Sequence, residues 1–482
     1  MRHSFINDSW PLDQRSVAGK GLSVDVVLLS ALYLLEISLA LVALTGYHIS
    51  LKPSVVSFLQ SRPGYLFVAA VLGVVASGII IIYRCYHADR VRGRTTTMTV
   101  AMNLVTVLIL ATAGEGTIRA LYKETPTGDV LGGTYLYPRE WAKVVSYYRD
   151  TFRSHLGKAP FHVYDDLLGW TIASSRRSEN DLYYSSAEGL RSEKVGTVLA
   201  DQPATTRIAL VGASYTFSEE VSFDESWGRQ LELRLGKNFQ VLNFGVMGYS
   251  IAQAYLRYIK EVRPWHPDVV IFGLIDDNLR RAMGVYSFLT FPEGSTPFAT
   301  PRFVVTDNQL TLLNTPLPHP EQIFSARSIN DLPYITYDQA YVPSEWDRPY
   351  WMLLNRSYLF RWLESWVPRY KTPGPDVSGV AMKAISLEIF RAFTEKVRAD
   401  GSIPILVYLP SWGKEEHPGY DPVSVQIPRT AGLTYIDLTE CLSKVPFADR
   451  FMPRHHYSPK GNEAVASCLR EVVTEQLRKG RA

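Results

Sequence analysis

The sequence predicts a membrane-anchored α/β protein: three transmembrane helices, then a three-layer domain on a parallel sheet that carries a cap insertion. Three observations predict it. Long apolar runs crowd into the first 120 residues. From Arg207 onward, short continuous apolar strands ending in glycine alternate with helical stretches, the pattern of a parallel sheet covered on both faces. A stretch rich in Pro and aromatic residues interrupts that alternation between Gly284 and Lys371. The whole chain, 482 residues with 46% hydrophobic and 20% charged, has ample length for a core and is not disordered. Its 50 Lys and Arg against 47 Asp and Glu leave a formal net charge of +3, which argues against a nucleic-acid protein. Three cysteines exclude a disulfide-rich scaffold, and their spacing fits no zinc motif.

The membrane elements come first. Residues 26–47 carry one charge, Glu36, and residues 65–83 carry none. Each meets the length of about 20 apolar residues that a spanning helix needs. Residues 98–113 are shorter, apolar except for Asn103 and a few threonines, and read as a third span, with a buried or interfacial helix as the alternative. Arg84, Arg90, Arg92 and Arg94 lie between the second and third segments, and Arg2, Arg15 and Lys20 precede the first. The positive-inside rule places both stretches in the cytoplasm, and three spans then leave the remainder of the chain outside, on an inner (plasma) membrane. The polar residues before the first span argue against a cleaved signal peptide. Glu36 near mid-span costs about 2.5–3.5 kcal/mol on insertion scales, so it is expected to face another helix, where Asn103 or Thr106 can bond it. Glu115 and Arg119, spaced i,i+4, are expected to pair on a helix leaving the membrane.

The domain order read from the chain is a cytoplasmic tail (1–22), the transmembrane region (23–122), a connecting segment (123–200), and the α/β domain (201–482) with an insertion at 284–371. The connecting segment is expected to hold a helix near 139–158 and strand-like pieces at 161–164 and 181–185. Three apolar runs follow, at 207–212, 240–245 and 268–273, separated by helices over 226–235 and 251–262. The insertion contains a plausible hairpin, 302–305 with 310–313. After it come a helix (380–400), strands at 403–409 and 433–438, and a closing helix (462–478).

Chemistry-bearing residues fall at the strand ends, where ligands bind in open α/β sheets. Ser214 follows the first strand in Gly212-Ala213-Ser214-Tyr215-Thr216-Phe217. A serine at such a turn exposes its hydroxyl at the top of the sheet, beside backbone N–H groups at a helix start. It is a weak nucleophile without a base. The best base candidate is His456, in His455-His456-Tyr457-Ser458-Pro459-Lys460-Gly461-Asn462, just before the last helix. The turns Asn243-Phe244-Gly245-Val246-Met247-Gly248 and Gly273-Leu274-Ile275-Asp276-Asp277-Asn278 belong to the same sheet edge.

This order of blocks resembles the SGNH superfamily, the GDSL-type esterases and acyltransferases. The resemblance implies Ser214 as nucleophile, with Ala213 where the family usually has Asp. It implies Gly248 as the oxyanion glycine and His456 as the catalytic histidine. The family's Asn-Asp pair is inverted here to Asp277-Asn278, so either Asn278 supplies the oxyanion amide or Asp277 holds the rival position, where a carboxylate would repel an oxyanion. The Asp expected two or three residues before the histidine is replaced by Pro453 and Arg454. A backbone carbonyl is one substitute for orienting the ring; Asp437, Asp449 and Asp276 are others. The stretches Asp165-Asp166-Leu167-Leu168-Gly169-Trp170 and Glu188-Gly189-Leu190-Arg191 resemble the segment that precedes the sheet in membrane-anchored members.

What the resemblance implies is acyl transfer through a Ser–His acyl-enzyme: an O-acyltransferase or esterase acting on an extracytoplasmic envelope glycan or glycolipid. The partners are then an acyl donor, a glycan acceptor and membrane lipid, and a membrane protein that supplies acyl groups fits the same scheme. The alternatives are a hydrolase of lipids or small esters and a non-catalytic binding or assembly module. No metal or organic cofactor is implied. Trp346, Tyr350, Trp351, Trp362 and Trp366 in the insertion are candidates for sugar contact, with a hydrophobic core or membrane surface as the equal alternative. Cys441 and Cys468 lie outside by this topology, where a disulfide can persist, though two buried thiols fit as well. Cys85, at the cytoplasmic end of the second span, is a candidate for acylation.

Overall fold

The computed structural model describes residues 107–108, 111–156, 158–200, 206–290, 297–307, 309–346, 354–366, 379–413 and 419–480. The apolar segments 26–47 and 65–83, with Glu36, Cys85, Asn103, Thr106 and the Arg-rich loop, lie outside the described residues, as does most of 98–113. Among the described residues no helix is long and apolar enough to cross a membrane.

The chain divides into two compact units. Among the described residues the smaller holds those within 107–125, 129–138 and 354–366. Within it Glu115 pairs with Arg119 at 2.7 Å, as the i,i+4 spacing predicts. Glu115 also accepts the N–H groups of Tyr358 (3.0 Å) and Leu359 (2.7 Å) and the Ser357 hydroxyl (2.8 Å). A carboxylate there satisfies the orphan donors at the start of the helix Tyr358–Trp366. Arg361 on that helix pairs with Asp129 at 2.6 Å.

The larger unit comprises residues 126–128, 139–347 and 371–482. It opens with helix α1 (Trp141–Leu156) and two short hairpins, His162–Asp165 with Gly169–Ile172 and Tyr184–Ser185 with Arg191–Ser192. The central sheet has five strands: β1 (Thr206–Val211), β2 (Phe239–Asn243), β3 (Val269–Leu274), β4 (Ile403–Tyr408) and β5 (Tyr435–Asp437). Every pairing is parallel, and the spatial order is β5-β4-β3-β1-β2. Helix α2 (Ser214–Phe217) follows β1, and α3 (Trp227–Leu235) leads to β2. Next come α4 (Ile251–Arg257), which widens into a π turn over Tyr258–Val262, then α5 (Val380–Ala399) and α6 (Pro459–Gly480). Serines start two of these helices. Ser226 accepts from the Arg229 N–H, and Ser250 forms a reciprocal capping box with Gln253.

The period of two along each strand sends alternate side chains to opposite faces. Ala209, Val211, Val270, Phe272 and Leu406 pack under α4 and α5, against Ile389, Phe390 and Phe393. Ile208, Leu210, Ile271, Ile405 and Val407 pack against Trp227 and Leu231 of α3 and Val465, Leu469 and Val473 of α6. All six residues of β3 are buried, which is why its sequence is apolar without alternation. The segment before the sheet shares this core: Phe161, Leu168, Trp170, Tyr183 and Leu190 are buried with Ala209 and Phe217.

The insertion forms its own core on α1. Trp141, Val144 and Tyr148 are buried with Tyr286, Phe288, Ile329 and Trp346. The expected hairpin is present, with each strand one residue nearer the turn than 302–305 and 310–313: Phe303–Thr306 pairs with Gln309–Leu312. Trp346 is 5% exposed and lies under Arg139, 4.0 Å from the guanidinium carbon to its ring centre, so among the candidate sugar-contacting aromatics it is a core residue. Tyr350 and Trp351 lie outside the described residues. Cys441 and Cys468 are disulfide-bonded, which settles the alternative between a bridge and two thiols.

Candidate active site

With strand order 2-1-3-4-5 the connections leave the sheet in opposite directions on either side of β1 and β3, and the crevice between their carboxyl ends is the expected ligand site. Ser214 stands there, at the first position of α2, 6% exposed. Ala213 is extended and α2 lasts one turn before Ser218 enters the left-handed region at φ 62°. The Ser214 carbonyl then accepts the N–H groups of Ser218 and of Glu219, the latter at 3.0 Å. The chain turns again at Glu220, φ 74°. This compact turn, which begins at Ser214, presents Glu219 and Glu220 to one imidazole, that of His456.

His456 meets that turn. The residues before it fold back on themselves: the His455 N–H donates to Met452 O (2.8 Å) and the Met452 N–H to His456 O (2.7 Å). Tyr215, next to Ser214, locks the two segments together. Its hydroxyl donates to His455 O at 2.6 Å, and its ring centre lies 5.1 Å from that of His456. Behind the histidine, Asn462 accepts the Trp227 N–H (3.2 Å) and donates to Tyr457 O (3.0 Å), tying α6 to α3.

Glu220 orients the imidazole. Its Oε2 lies 2.9 Å from His456 Nδ1 and accepts the His456 backbone N–H at 3.1 Å. Its Oε1 accepts the Arg454 backbone N–H at 2.8 Å. Burial raises the Glu220 carboxyl, but these two N–H groups and the imidazole outweigh burial and hold it below the usual carboxylate range. Glu219 lies on the other side of the ring, with Oε2 3.5 Å from Nε2, and its Oε1 is 3.3 Å from the Arg454 guanidinium. Ser214 Oγ makes no hydrogen bond among the described residues; such bonds are often loose before substrate binds.

The substitutes proposed for the missing aspartate are therefore corrected. Asp276 accepts the Ser424 N–H (2.9 Å) and the hydroxyls of Ser424 and Tyr420, and so caps the helix Val423–Thr430. Asp437 accepts from Thr439 (2.9 Å), and Asp449 pairs with Lys460 (2.9 Å). Among the described residues no backbone carbonyl takes Nδ1 either; a glutamate does. At the position where the resemblance expects an acid, Arg454 faces two acids delivered from the Ser214 turn.

Gly248 adopts φ 81° in the turn after β2, and a Cβ on it would come within 3.2 Å of Trp170. The N–H groups of Ser214 and Gly248 have no partner among the described residues, as an oxyanion hole requires. Asn278 is buried, accepts the Ile275 N–H (3.2 Å), and donates one amide hydrogen to Tyr249 O (3.1 Å), next to Gly248. Asp277 is half exposed and spends its carboxylate on Arg280. Of the two rivals, Asn278 is the one joined to the Gly248 turn.

Asn243 and Gly245, which the sequence names in the turn after β2 without a role of their own, seat α2. The Asn243 amide donates to Thr216 O (3.0 Å), and its oxygen accepts the Gly245 N–H (2.9 Å). A Cβ on Gly245 would fall 2.5 Å from the Phe217 nitrogen, so only glycine lets the turn after β2 lie against the Ser214 helix. The signal was present in the Asn-x-Gly spacing at a strand end. For Glu220 the only signal was a pair of acids shortly after the serine.

No protein-family model and no curated protein matches the chain. Solved structures do. A protein of Desulfitobacterium hafniense described as lipolytic and of the G-D-S-L family is 12% identical, with 56% of this chain and 99% of that one covered and a TM-score of 0.29. A variant of an acetyl-xylooligosaccharide esterase from Geobacillus is 14% identical, with 56% and 94% covered and a TM-score of 0.28. A GDSL-like lipase of Bacteroides thetaiotaomicron is 10% identical, with 57% and 91% covered and a TM-score of 0.28. Likenesses of this size bear no functional weight.

Proposed function

We propose that the larger unit is a serine esterase or O-acyltransferase with a Ser214–His456–Glu220 relay. One observation carries the reading: the imidazole next to the Ser214 turn has a buried carboxylate on Nδ1, the arrangement that holds a general base in the correct tautomer. In the proposed cycle His456 Nε2 takes the Ser214 Oγ proton as Oγ attacks an ester carbonyl carbon. The Ser214 and Gly248 N–H groups, with the Asn278 amide beside them, hold the tetrahedral oxyanion. Collapse expels the alkoxide, which takes the proton from Nε2, and leaves acyl-Ser214. Water or a sugar hydroxyl, deprotonated by the same imidazole, then attacks the acyl carbon and restores the serine. Glu220 keeps Nδ1–H in place and offsets the imidazolium charge.

The same reading places the protein in the plasma membrane, its amino terminus cytoplasmic and this unit outside, with an envelope glycan or glycolipid as acceptor. The apolar segments 26–47 and 65–83 and the arginine-rich loop support the orientation. The Cys441–Cys468 bridge supports an oxidising compartment.

The experiment is a serine-reactive fluorophosphonate probe applied to the full chain. Labelling is expected at Ser214 and is expected to vanish in Ser214→Ala and His456→Ala. Supplying an oligosaccharide acceptor with p-nitrophenyl acetate separates transfer from hydrolysis by the ratio of acetylated sugar to free acetate. Labelling that survives in His456→Ala would sink the relay.

A further inference from the structure

We propose that Tyr183 and Arg191, from the segment before the sheet, are positioning residues that hold the turn 217–221 so that Glu220 meets His456. The inference rests on the esterase reading and extends it to residues that touch neither the serine nor the histidine.

The turn needs outside support. Ser218 at φ 62° and Glu220 at φ 74° are both left-handed. A non-glycine residue in that region is strained and persists only where its surroundings over-determine it. Two side chains supply that determination. The Arg191 guanidinium donates through Nη1 to the carbonyls of Phe217 and Ser218, the latter at 2.6 Å, and through Nη2 to Val221 O at 2.6 Å. The Tyr183 hydroxyl accepts the Glu220 N–H at 2.8 Å. Three carbonyls and one N–H of a five-residue turn are thus held from one side, flanking the left-handed residues. The other side of the same turn carries the Glu220 carboxylate onto Nδ1.

The choice of residue argues for more than packing. Arg191 is 2% exposed, between the rings of Phe217 (4.5 Å) and Tyr183 (5.2 Å). Burial lowers its guanidinium to about 10, so it is still a cation at neutral pH. A buried cation is costly, and an apolar side chain would fill the same space more cheaply. What an apolar side chain cannot do is fix three carbonyls in a fork. The Glu-Gly-Leu-Arg string ends on this residue, which gives that string a role: the segment before the sheet orders the relay.

The test uses the full chain in detergent, with Tyr183→Phe, Arg191→Lys, Arg191→Met and Glu220→Gln, and with each of the first two combined with Glu220→Gln. The readout independent of turnover is the hydrogen-bonded imidazole N–H resonance of His456, assigned by its loss in His456→Gln. It is expected to be lost in Glu220→Gln and broadened or shifted in Tyr183→Phe and Arg191→Lys. With p-nitrophenyl acetate, Tyr183→Phe is expected to lower kcat about 10- to 100-fold, the size of effect that a small misplacement produces, with KM little changed. Added to Glu220→Gln it is expected to cost almost nothing further, because both act through the same contact. An unchanged resonance in Tyr183→Phe and Arg191→Lys overturns the inference, as do effects that multiply in the double variants. Arg191→Met is the severe variant; the other two keep the test intact if it does not fold. A wild-type chain that neither labels nor turns over sinks the esterase reading instead, while the resonance still decides the positioning.

Discussion

Glu220 does its work from a backbone conformation that glutamate rarely adopts, and the charge it carries there is measurable. Its carboxyl is held below the usual range, so the folded state binds a proton less readily than the unfolded chain. The stabilisation this provides is complete above the ordinary carboxylate range and is lost as pH falls through the lower folded value. Glu220→Gln is therefore expected to lower stability at neutral pH and to leave the difference from wild type vanishing in strong acid, read as the gap between two denaturant midpoints across pH. In turnover the same change removes the group that holds Nδ1–H, and kcat/KM for p-nitrophenyl acetate is expected to fall about 10²- to 10⁴-fold. Asp276→Asn is the contrast. Its carboxylate caps the helix Val423–Thr430, so its loss is expected to cost stability while Ser214 labelling persists.

At the scale of elements, the site depends on how firmly β1, β3 and α6 are set. Phe272 of β3 is fully buried against Phe390 and Phe393, with ring centres 6.3 and 4.9 Å away. Phe272→Ala is expected to cost about 3–5 kcal/mol, measured by urea unfolding. The bridge between Cys441 and Cys468 spans 27 residues that include His456 and joins the helix Thr439–Ser443 to α6. Cys468→Ser is expected to cost about 2–4 kcal/mol, read as a lower thermal midpoint that reductant produces in the wild type but not in the variant.

At the scale of the whole molecule, the expectation concerns which side of a membrane the larger unit occupies. The full chain is expected to stay with membranes through an alkaline wash. Protease added outside cells stripped of their wall is expected to digest the unit and, added to inverted vesicles, to leave it whole. The reverse pattern of protection would overturn the orientation read from Arg84, Arg90, Arg92 and Arg94.

Strand and helix periodicity made the five-stranded alternation legible because burial acts residue by residue: β3 reads as apolar throughout since both of its faces are covered. Ser214 and His456 were legible because strand ends are where an α/β sheet exposes chemistry. By itself the sequence determined the alternation, its strand-end turns and the residues they carry. It did not determine the acid partner of His456, because that partner is set by two left-handed residues and by Arg191 and Tyr183, brought from a separate hairpin. Spacing along the chain records neither; only tertiary packing places a glutamate of the Ser214 turn on Nδ1 of a histidine from the last segment of the chain, and makes Trp346 a core residue instead of a surface one.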